Sequence, residues 1–521
     1  MNKHMLPVML SVLLCVVGCS SDGPKGSADS GSDTDTDVDS DSDTDSDSDT
    51  DTDSDTDTDS DTDSEYDTDV DTARCLTDET VHVDLAGTDD STCGDEGSPC
   101  RTIDHALDRA AYGDAVCVHA GTYNEAYLQV PDGVTLISAD GALEAVIFSD
   151  TQSAVRFEGV DEAGIDGFEV YGSWNQGSAG DGLIRIYDAT NITVRNTMAH
   201  DAPFDQDVVK VSGQVSGLLL EGIVAWNPAI RESSGMYQEV IDIFGSGAVS
   251  GDPPPVSNVI VRRCWLFQIE DKGDWLIYSK IYAENILYEN NVFGPSVFGG
   301  FGNPAVGIGT GEAGIPDPSA AVVENAIVRN NIFVGLKGDG ALSILNADNT
   351  WVYNNTFYGN SGSELRSVIM LRGNSHDLGY TSVFNNVFVD NHPTKDGDGL
   401  FYWVRDAMPS TWSHHNNLYY DNLADSDTPY TAETGSIYDT DPDLAAPQIP
   451  DTSNPSLASV AQIKADFAIP SSSAALNAGV DAIQITDHPN WMPGETDRRW
   501  DYLGNSRPSA DTWDLGVDEV N

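Results

Sequence analysis

From residue 190 onward the chain repeats one pattern of hydrophobic and polar positions: an apolar residue, a polar one, one or two Asn, then an apolar pair. It reads Val194-Arg195-Asn196-Thr197, Val261-Arg262-Arg263-Cys264, Tyr288-Glu289-Asn290-Asn291, Val328-Arg329-Asn330-Asn331, Tyr353-Asn354-Asn355, Phe384-Asn385-Asn386 and His415-Asn416-Asn417, with a weaker copy at Leu220-Glu221-Gly222-Ile223. Steps between the first Asn positions are 26, 41, 27, 40, 24, 31 and 31 residues. Such a period indicates a solenoid, twice lengthened by an insertion. Flanking segments such as Asn191-Ile192-Thr193-Val194 and Asn258-Val259-Ile260-Val261 are short, β-branched and alternating, so the repeat unit is built from strands and not helices. An Asn pair between strands predicts a tight bend, because Asn tolerates the left-handed conformation and its amide can bond the equivalent Asn one coil away. Leu266, Phe293, Phe333, Phe357, Phe388 and Tyr419 each lie two positions beyond the bend and are expected to stack as one interior column.

On these residues the chain resembles the right-handed parallel β-helix, or pectate-lyase-like, superfamily. The repeat evidence covers about residues 120–420. Ser98-Pro99-Cys100-Arg101-Thr102-Ile103-Asp104-His105-Ala106-Leu107, followed by Gly113-Asp114 and Gly121-Thr122-Tyr123, resembles the entry to many extracellular β-helices. Within it Ile103, Ala106, Leu107 and Ala110 have helical spacing, predicting a short helix that plugs the first coil, since an open solenoid end exposes core and strand edge. Leu476-Asn477-Ala478-Gly479 and Asp514-Leu515-Gly516-Val517-Asp518-Glu519 resemble the closing segment of the same exported proteins. The resemblance therefore implies an all-β chain: one single-stranded right-handed parallel β-helix over 73–420, including its N-terminal capping helix, and a loop-rich C-terminal cap over 421–521.

Charge adds the most to this picture. The 521 residues carry 24 Lys+Arg against 86 Asp+Glu, a formal charge of −62, which excludes DNA and RNA as partners on electrostatic grounds. Between Asp29 and Asp71 stand 21 acidic residues and no basic one, and removing them still leaves 65 acidic residues against all 24 basic. The Ser-Asp and Thr-Asp alternation from Ser30 to Thr72 has almost nothing apolar to bury, so residues 19–72 are expected to be a disordered spacer. Like charges at every second position extend it. Loose cation binding or glycosylation of its hydroxyls are alternative uses.

Ahead of the spacer, Lys3 and His4 precede an apolar run from Met5 to Val17 that is too short to span a bilayer and reads as a cleaved export signal, residues 1–18. Val16-Val17-Gly18-Cys19 resembles the bacterial lipobox, which implies lipidation of Cys19. Ser20 after the cysteine then implies the outer membrane or cell surface, with membrane contact through the N-terminal lipid only. Cys75, Cys93, Cys100 and Cys117 form a cluster, with Cys264 alone; in an oxidising location the cluster predicts two disulfides with three pairings open. A zinc site is the rival, without paired Cys-x-x-Cys or companion histidines.

Candidate chemistry lies on three segments: Asp207-Val208-Val209-Lys210-Val211, Glu239-Val240-Ile241-Asp242-Ile243 and Asp274-Trp275-Leu276-Ile277-Tyr278. Aligned without gaps they place Lys210 beside Asp242 on neighbouring coils, about 4.8 Å apart by strand spacing. Asp207, Glu239 and Asp274 then form an acidic row. Oxygen ligands on adjacent coils suit Ca²⁺, with Asp205 as a further donor, although acidic and basic side chains on an outer face also pair across coils as ordinary solvated neighbours. Leu276-Ile277-Tyr278-Ser279-Lys280 resembles the lysine strand of the chondroitinase B and alginate lyase family, which implies Lys280, or Lys210 by a related arrangement, as a base assisted by Ca²⁺. The family's glutamates correspond to Gly273 and Trp275 here, and its arginine is absent from Val306-Gly307-Ile308-Gly309.

Glycoside hydrolysis by Asp207 with Asp242 has weaker support. His200, His376, His414 and His415 lack metal or triad spacing, and Trp174, Trp226, Trp275 and Trp403 serve either sugar stacking or ordinary packing. Two functions follow for a monomeric, lipid-anchored protein: binding of extracellular or envelope polysaccharide, or Ca²⁺-dependent lysis of a uronate-containing polymer by lysine-based β-elimination.

Overall fold

The computed structural model describes residues 70–77, 79–151, 153–173, 181–203, 206–228, 238–245, 256–269, 273–297, 305–310, 322–363, 365–372, 380–394, 400–405, 412–422, 433–482, 501, 506–507 and 512–520. The export signal, Cys19, almost all of the acidic spacer, Trp174, Asp205, His376 and the side chain of Trp403 lie outside the described residues.

Among the described residues the strands form three long parallel sheets. The first runs over twelve strands from Thr80–Val83 to Trp412–His415, the second over ten from Leu128–Gln129 to Leu400–Arg405, and the third over twelve from Gly121–Asn124 to Ile437–Tyr438. One coil visits them in turn: Gln206–Ser212 in the second sheet, Val215–Glu221 in the first, Val224–Trp226 in the third. This is the right-handed parallel β-helix that the repeat and its resemblance imply. Its short apolar strands face inward from all three sides, so a single continuous core runs from Val81 to Tyr419.

The Asn pairs make the corner between the first and third sheets. Asn196, Asn290, Asn330, Asn354, Asn385 and Asn416 adopt positive φ, as do Gly222 and Arg263 at the equivalent position. The second Asn of each pair points inward and forms a ladder: Asn291 Nδ2 donates to Asn331 Oδ1 (3.0 Å), Asn331 to Asn355 (3.0 Å), Asn355 to Asn386 (3.0 Å) and Asn386 to Asn417 (3.1 Å). Buried amides are thereby satisfied coil to coil. At one end the Cys264 N–H donates to Asn291 Oδ1, and at the other Asn417 Nδ2 donates to the Glu433 carboxylate. The expected aromatic column is present: Phe293, Phe333, Phe357, Phe388 and Tyr419 stack with ring centroids 4.3–5.1 Å apart.

Near the N-terminus the helix Ile103–Leu107 is one turn shorter than its spacing suggested, and buries Ile103, Ala106 and Leu107 against the first coil. The N–H groups of Ile103 and Asp104 donate to the Glu125 carboxylate, which caps it. The cysteine cluster holds two disulfides, Cys75–Cys117 and Cys93–Cys100. Described parts of the C-terminal segment pack along the outside of the coils: Trp513 and Ala482 against Trp351 and Phe384 of the first sheet, and the helix Ser459–Asp466 against Trp265 and Ile332 of the third. Among the described residues no helix is long and apolar enough to cross a membrane.

Candidate functional site

The second sheet has a local rule that generates the site. In each coil two consecutive apolar residues turn into the core: Leu183-Ile184, Val208-Val209, Val240-Ile241, Leu276-Ile277, Ala305-Val306, Ala341-Leu342 and Val368-Ile369. Simple alternation would put only one of each pair inside. The residues flanking the pair, three apart, therefore share the outer face, and Lys210 beside Asp207 shows it: the ammonium lies 3.1 Å from Asp207 Oδ2. Two outer rows result. One contains Gly182, Asp207, Glu239 and Trp275; the other contains Arg156, Arg185, Lys210, Asp242, Tyr278 and Gly307, each opposite the next on the neighbouring coil.

The apolar pair also corrects the ungapped alignment of the third segment. Leu276-Ile277 must sit over Val240-Ile241, so Ile241 pairs with Ile277 and Asp242 with Tyr278. Trp275 accordingly stands beside Glu239, and Asp274 falls one position earlier, where its N–H donates to the Gln238 carbonyl. Core registration overrides the acidic pattern. The expected Lys210–Asp242 adjacency holds.

Five charged side chains meet here. Lys210 Nζ contacts both Asp207 and Asp242, and Lys280 Nζ lies 2.6 Å from Glu239 Oε1 and 3.2 Å from Asp242 Oδ1. Asp207 Oδ1 accepts the Glu239 N–H at 2.7 Å. Asp207, Glu239 and Asp242 are buried and present ligand oxygens within 4.8 Å of one another. The lysine side chains, each 15% exposed, lie between them and solvent.

Three carboxylates face two ammoniums, and the imbalance sorts the protonation states. Burial pushes the Glu239 and Asp207 carboxyls above the ordinary range, Glu239 furthest. Burial acts the same way on Asp242, but Lys210 and Lys280, one on each oxygen, bring it below the usual value. Burial also disfavours both ammoniums, yet the carboxylates overcome it and hold Lys210 and Lys280 more firmly protonated than a free lysine. A lysine base needs the opposite shift.

The acidic oxygens are the hard donors Ca²⁺ takes, but it needs six to eight of them, as a rough rule. Here the oxygens facing the centre are already engaged by Lys210 and Lys280. As arranged, the residues do not fit the ion.

Beside the cluster Trp275 and Tyr278 stack at 3.9 Å over Gly307, where a Cβ would come within 2.5 Å of the Trp275 ring. Lys280 Nζ sits 5.1 Å from the Tyr278 ring centroid. On the other side Arg185 pairs with Glu158 and Asp181, and Arg156 with Glu158; their guanidiniums lie over Tyr187 and Tyr127. Sequence reasoning did not single out these arginines, although Val155-Arg156-Phe157 and Ile184-Arg185-Ile186 place each between two apolar strand residues as Val209-Lys210-Val211 does.

Other residues considered from the sequence are occupied elsewhere. Trp226 and His200 belong to an outer stack of the third sheet, Phe148-Tyr171-His200-Trp226-Phe267, whose rings cover one another's faces. His414 pairs with the buried Glu433 at the end of the Asn ladder, and His415 stacks on Phe384.

No protein-family model and no curated protein matches the chain. Among solved structures, a pectate lyase, Pel9A, is similar over 85% of this chain and 97% of its own, at 14% identity and a TM-score of 0.38. A surface adhesin of Streptococcus pneumoniae, PfbA, is similar over 69% and 91%, at 12% identity and a TM-score of 0.44. XylC, solved with xylose, is similar over 85% and 98%, at 11% identity and a TM-score of 0.44.

Proposed function

We propose that this chain is an exported, lipid-anchored protein of the outer membrane or cell surface, acting as a monomer whose solenoid binds an acidic extracellular or envelope polysaccharide along the outer face of its second sheet. The observation that carries the reading is the column Arg156, Arg185, Lys210, in which three cations stand directly opposite one another on successive coils. Like charges in that relation are unfavourable by themselves, and the chain has few cations to place, with a formal charge of −62. Interleaved Glu158, Asp181 and Asp207 make the column tolerable. A polymer carrying carboxylates at regular intervals is the ligand such a column matches, and aromatic side chains beside it supply apolar surface.

The test titrates the full chain with pectate, alginate and chondroitin. Arg185→Ala should weaken binding of the preferred polymer by about tenfold or more, since a hydrogen bond to a charged group is worth about 1.5–3 kcal/mol. Added salt should weaken it further. Affinity unchanged in Arg185→Ala, in a protein with unaltered circular dichroism, would remove the reading.

Ca²⁺-dependent lysis of a uronate polymer is the second reading, favoured by the gathering of Asp207, Glu239, Asp242, Lys210 and Lys280 from three coils. Asp274, at its edge, adds negative charge felt by Glu239. The protonated state of both lysines places this reading second. Following the ultraviolet absorbance of unsaturated product, with and without Ca²⁺, decides between the two: growth that vanishes in Lys280→Ala makes the chain a lyase, and flat absorbance with retained binding leaves it a binding protein.

A further inference from the structure

We infer that Lys210 and Lys280 are built-in cations that occupy the position of a metal ion among Asp207, Glu239 and Asp242, so that the centre is complete without calcium and becomes a divalent-cation site when one ammonium is removed. The inference stands whether or not the chain binds a polysaccharide.

The geometry is specific. The two ammoniums approach Asp242 from different coils, Lys210 on Oδ2 and Lys280 on Oδ1, so that each carboxylate oxygen already faces a cation. Lys210 also reaches Asp207 Oδ2 at 3.1 Å, while Asp207 Oδ1 is taken by the Glu239 N–H. Lys280 reaches Glu239 Oε1 at 2.6 Å. Each lysine thus bridges two carboxylates, as a shared metal ion would, and Asp242 is common to both.

Access tells the same way. The three acids are buried, and the lysines lie on their solvent side with side chains 15% exposed. Lys210 Nζ lies 5.7 Å from the Phe244 ring centroid and Lys280 Nζ 5.1 Å from that of Tyr278. Gly182, opposite Asp207, has no Cβ because one would fall 2.5 Å from the Lys210 Cβ. Lysine suits the role as a compact point charge with three donors. Losing Lys280 uncovers Glu239 Oε1 and Asp242 Oδ1, two hard oxygens of the type that Ca²⁺ accepts with water completing its shell, and that Mg²⁺, with its stricter octahedron, fills poorly.

Thermal unfolding of the full chain tests this, with CaCl₂ or MgCl₂ added at matched ionic strength. Wild type and Asp242→Asn should shift equally in Ca²⁺, because any ion they bind lies elsewhere in this acidic chain. Lys280→Ala should melt below wild type and recover part of the loss in Ca²⁺ but not in Mg²⁺, and the recovery should disappear in Lys280→Ala/Asp242→Asn. A Ca²⁺ shift larger in wild type than in Asp242→Asn would mean that the native centre holds metal, and would overturn the inference. So would a folded Lys280→Ala that gains no more from Ca²⁺ than wild type. Should the alanine variant not fold, Lys280→Gln keeps most of the stem and carries the same comparison with the same two outcomes.

Discussion

Gly307 shows how much one missing methyl decides. It lies opposite Tyr278 on the next coil, and an added Cβ would meet the Trp275 ring at 2.5 Å and the Tyr278 ring at 2.6 Å. Both rings pack with Leu345 and Met370 and are held against the charged centre. Gly307→Val should therefore cost about 1–3 kcal/mol through overpacking. It should also flatten the near-ultraviolet dichroism of the stacked pair, whereas Ser343→Val, one coil further along the same row, should leave that signal intact. Lys280 shows the electrostatic counterpart: its removal leaves Glu239 and Asp242 short of a partner in a buried setting, at a cost of about 3–5 kcal/mol. A melting temperature for Lys280→Ala within error of wild type, at low divalent-ion concentration, would show that the ammonium is not bound as described.

At the scale of elements, the closing segment is tied to distant coils through the Arg507 guanidinium and its own backbone carbonyls, and holds buried carboxyl groups of its own. Arg507 Nη1 contacts Glu519 Oε2 at 2.7 Å, Arg507 Nη2 contacts Asn330 Oδ1, and Asn354 Nδ2 donates to the carbonyls of Asp514 and Gly516. Burial raises the Glu519 carboxyl to about 7 against the pull of Arg507, and burial with Asp501 raises Asp518 to about 6. A carboxyl that holds its proton more tightly in the folded chain stabilises it fully below the ordinary value and ceases to do so above the raised one. For Asp518 and Glu519 that contribution is complete below pH 3.8 and 4.5 respectively, and is lost as pH climbs through about 6 and about 7. Glu519→Gln, neutral throughout, should flatten the fall in stability between pH 5 and pH 8, a difference on the order of 3 kcal/mol at 1.36 kcal/mol per unit. Parallel pH curves for variant and wild type would refute the assignment.

Those contacts also mark where the sequence stops being legible. Asn354 and Asp514 are 160 residues apart, and nothing local announces their meeting. The Asn corners and the Phe293-to-Tyr419 column could be read because each recurs over successive coils at one offset from its neighbours. Lys210 beside Asp242 was readable for the same reason. Asp274 was misplaced by one position because its segment was aligned on acids, while packing registers Leu276-Ile277 on Val240-Ile241. The role of Lys280 as partner to both Glu239 and Asp242 depends on side-chain reach across coils, which a linear pattern does not carry.

For the solenoid as a whole, stability is a chain of nearest-neighbour terms, because each coil touches only the coils before and after it. Its first coil is the exposed end, and three devices guard it: the helix Ile103–Leu107 on the core, Cys93–Cys100, and Cys75–Cys117, which pins Thr72–Leu76 to the strand Ala115–Val118. Cys75–Cys117 closes a sequence separation of 42 residues, so its loss should cost on the order of 4 kcal/mol in the chain-entropy account. In a single cooperative globule that cost would be felt everywhere. In a solenoid it is local, since coils beyond the break keep their own neighbours. Cys75→Ser/Cys117→Ser should therefore lose hydrogen-exchange protection in Thr80–Val83 and Ala115–Val118, with Val323–Arg329 and Ala347–Tyr353 unchanged. The central strands Gln206–Ser212 and Ile241–Phe244, which carry the charged centre, should stay protected too, and polymer binding should survive the loss of the disulfide. Uniform loss of protection along all these strands would show that the coils unfold as one unit, and that the N-terminal end governs the centre from a distance.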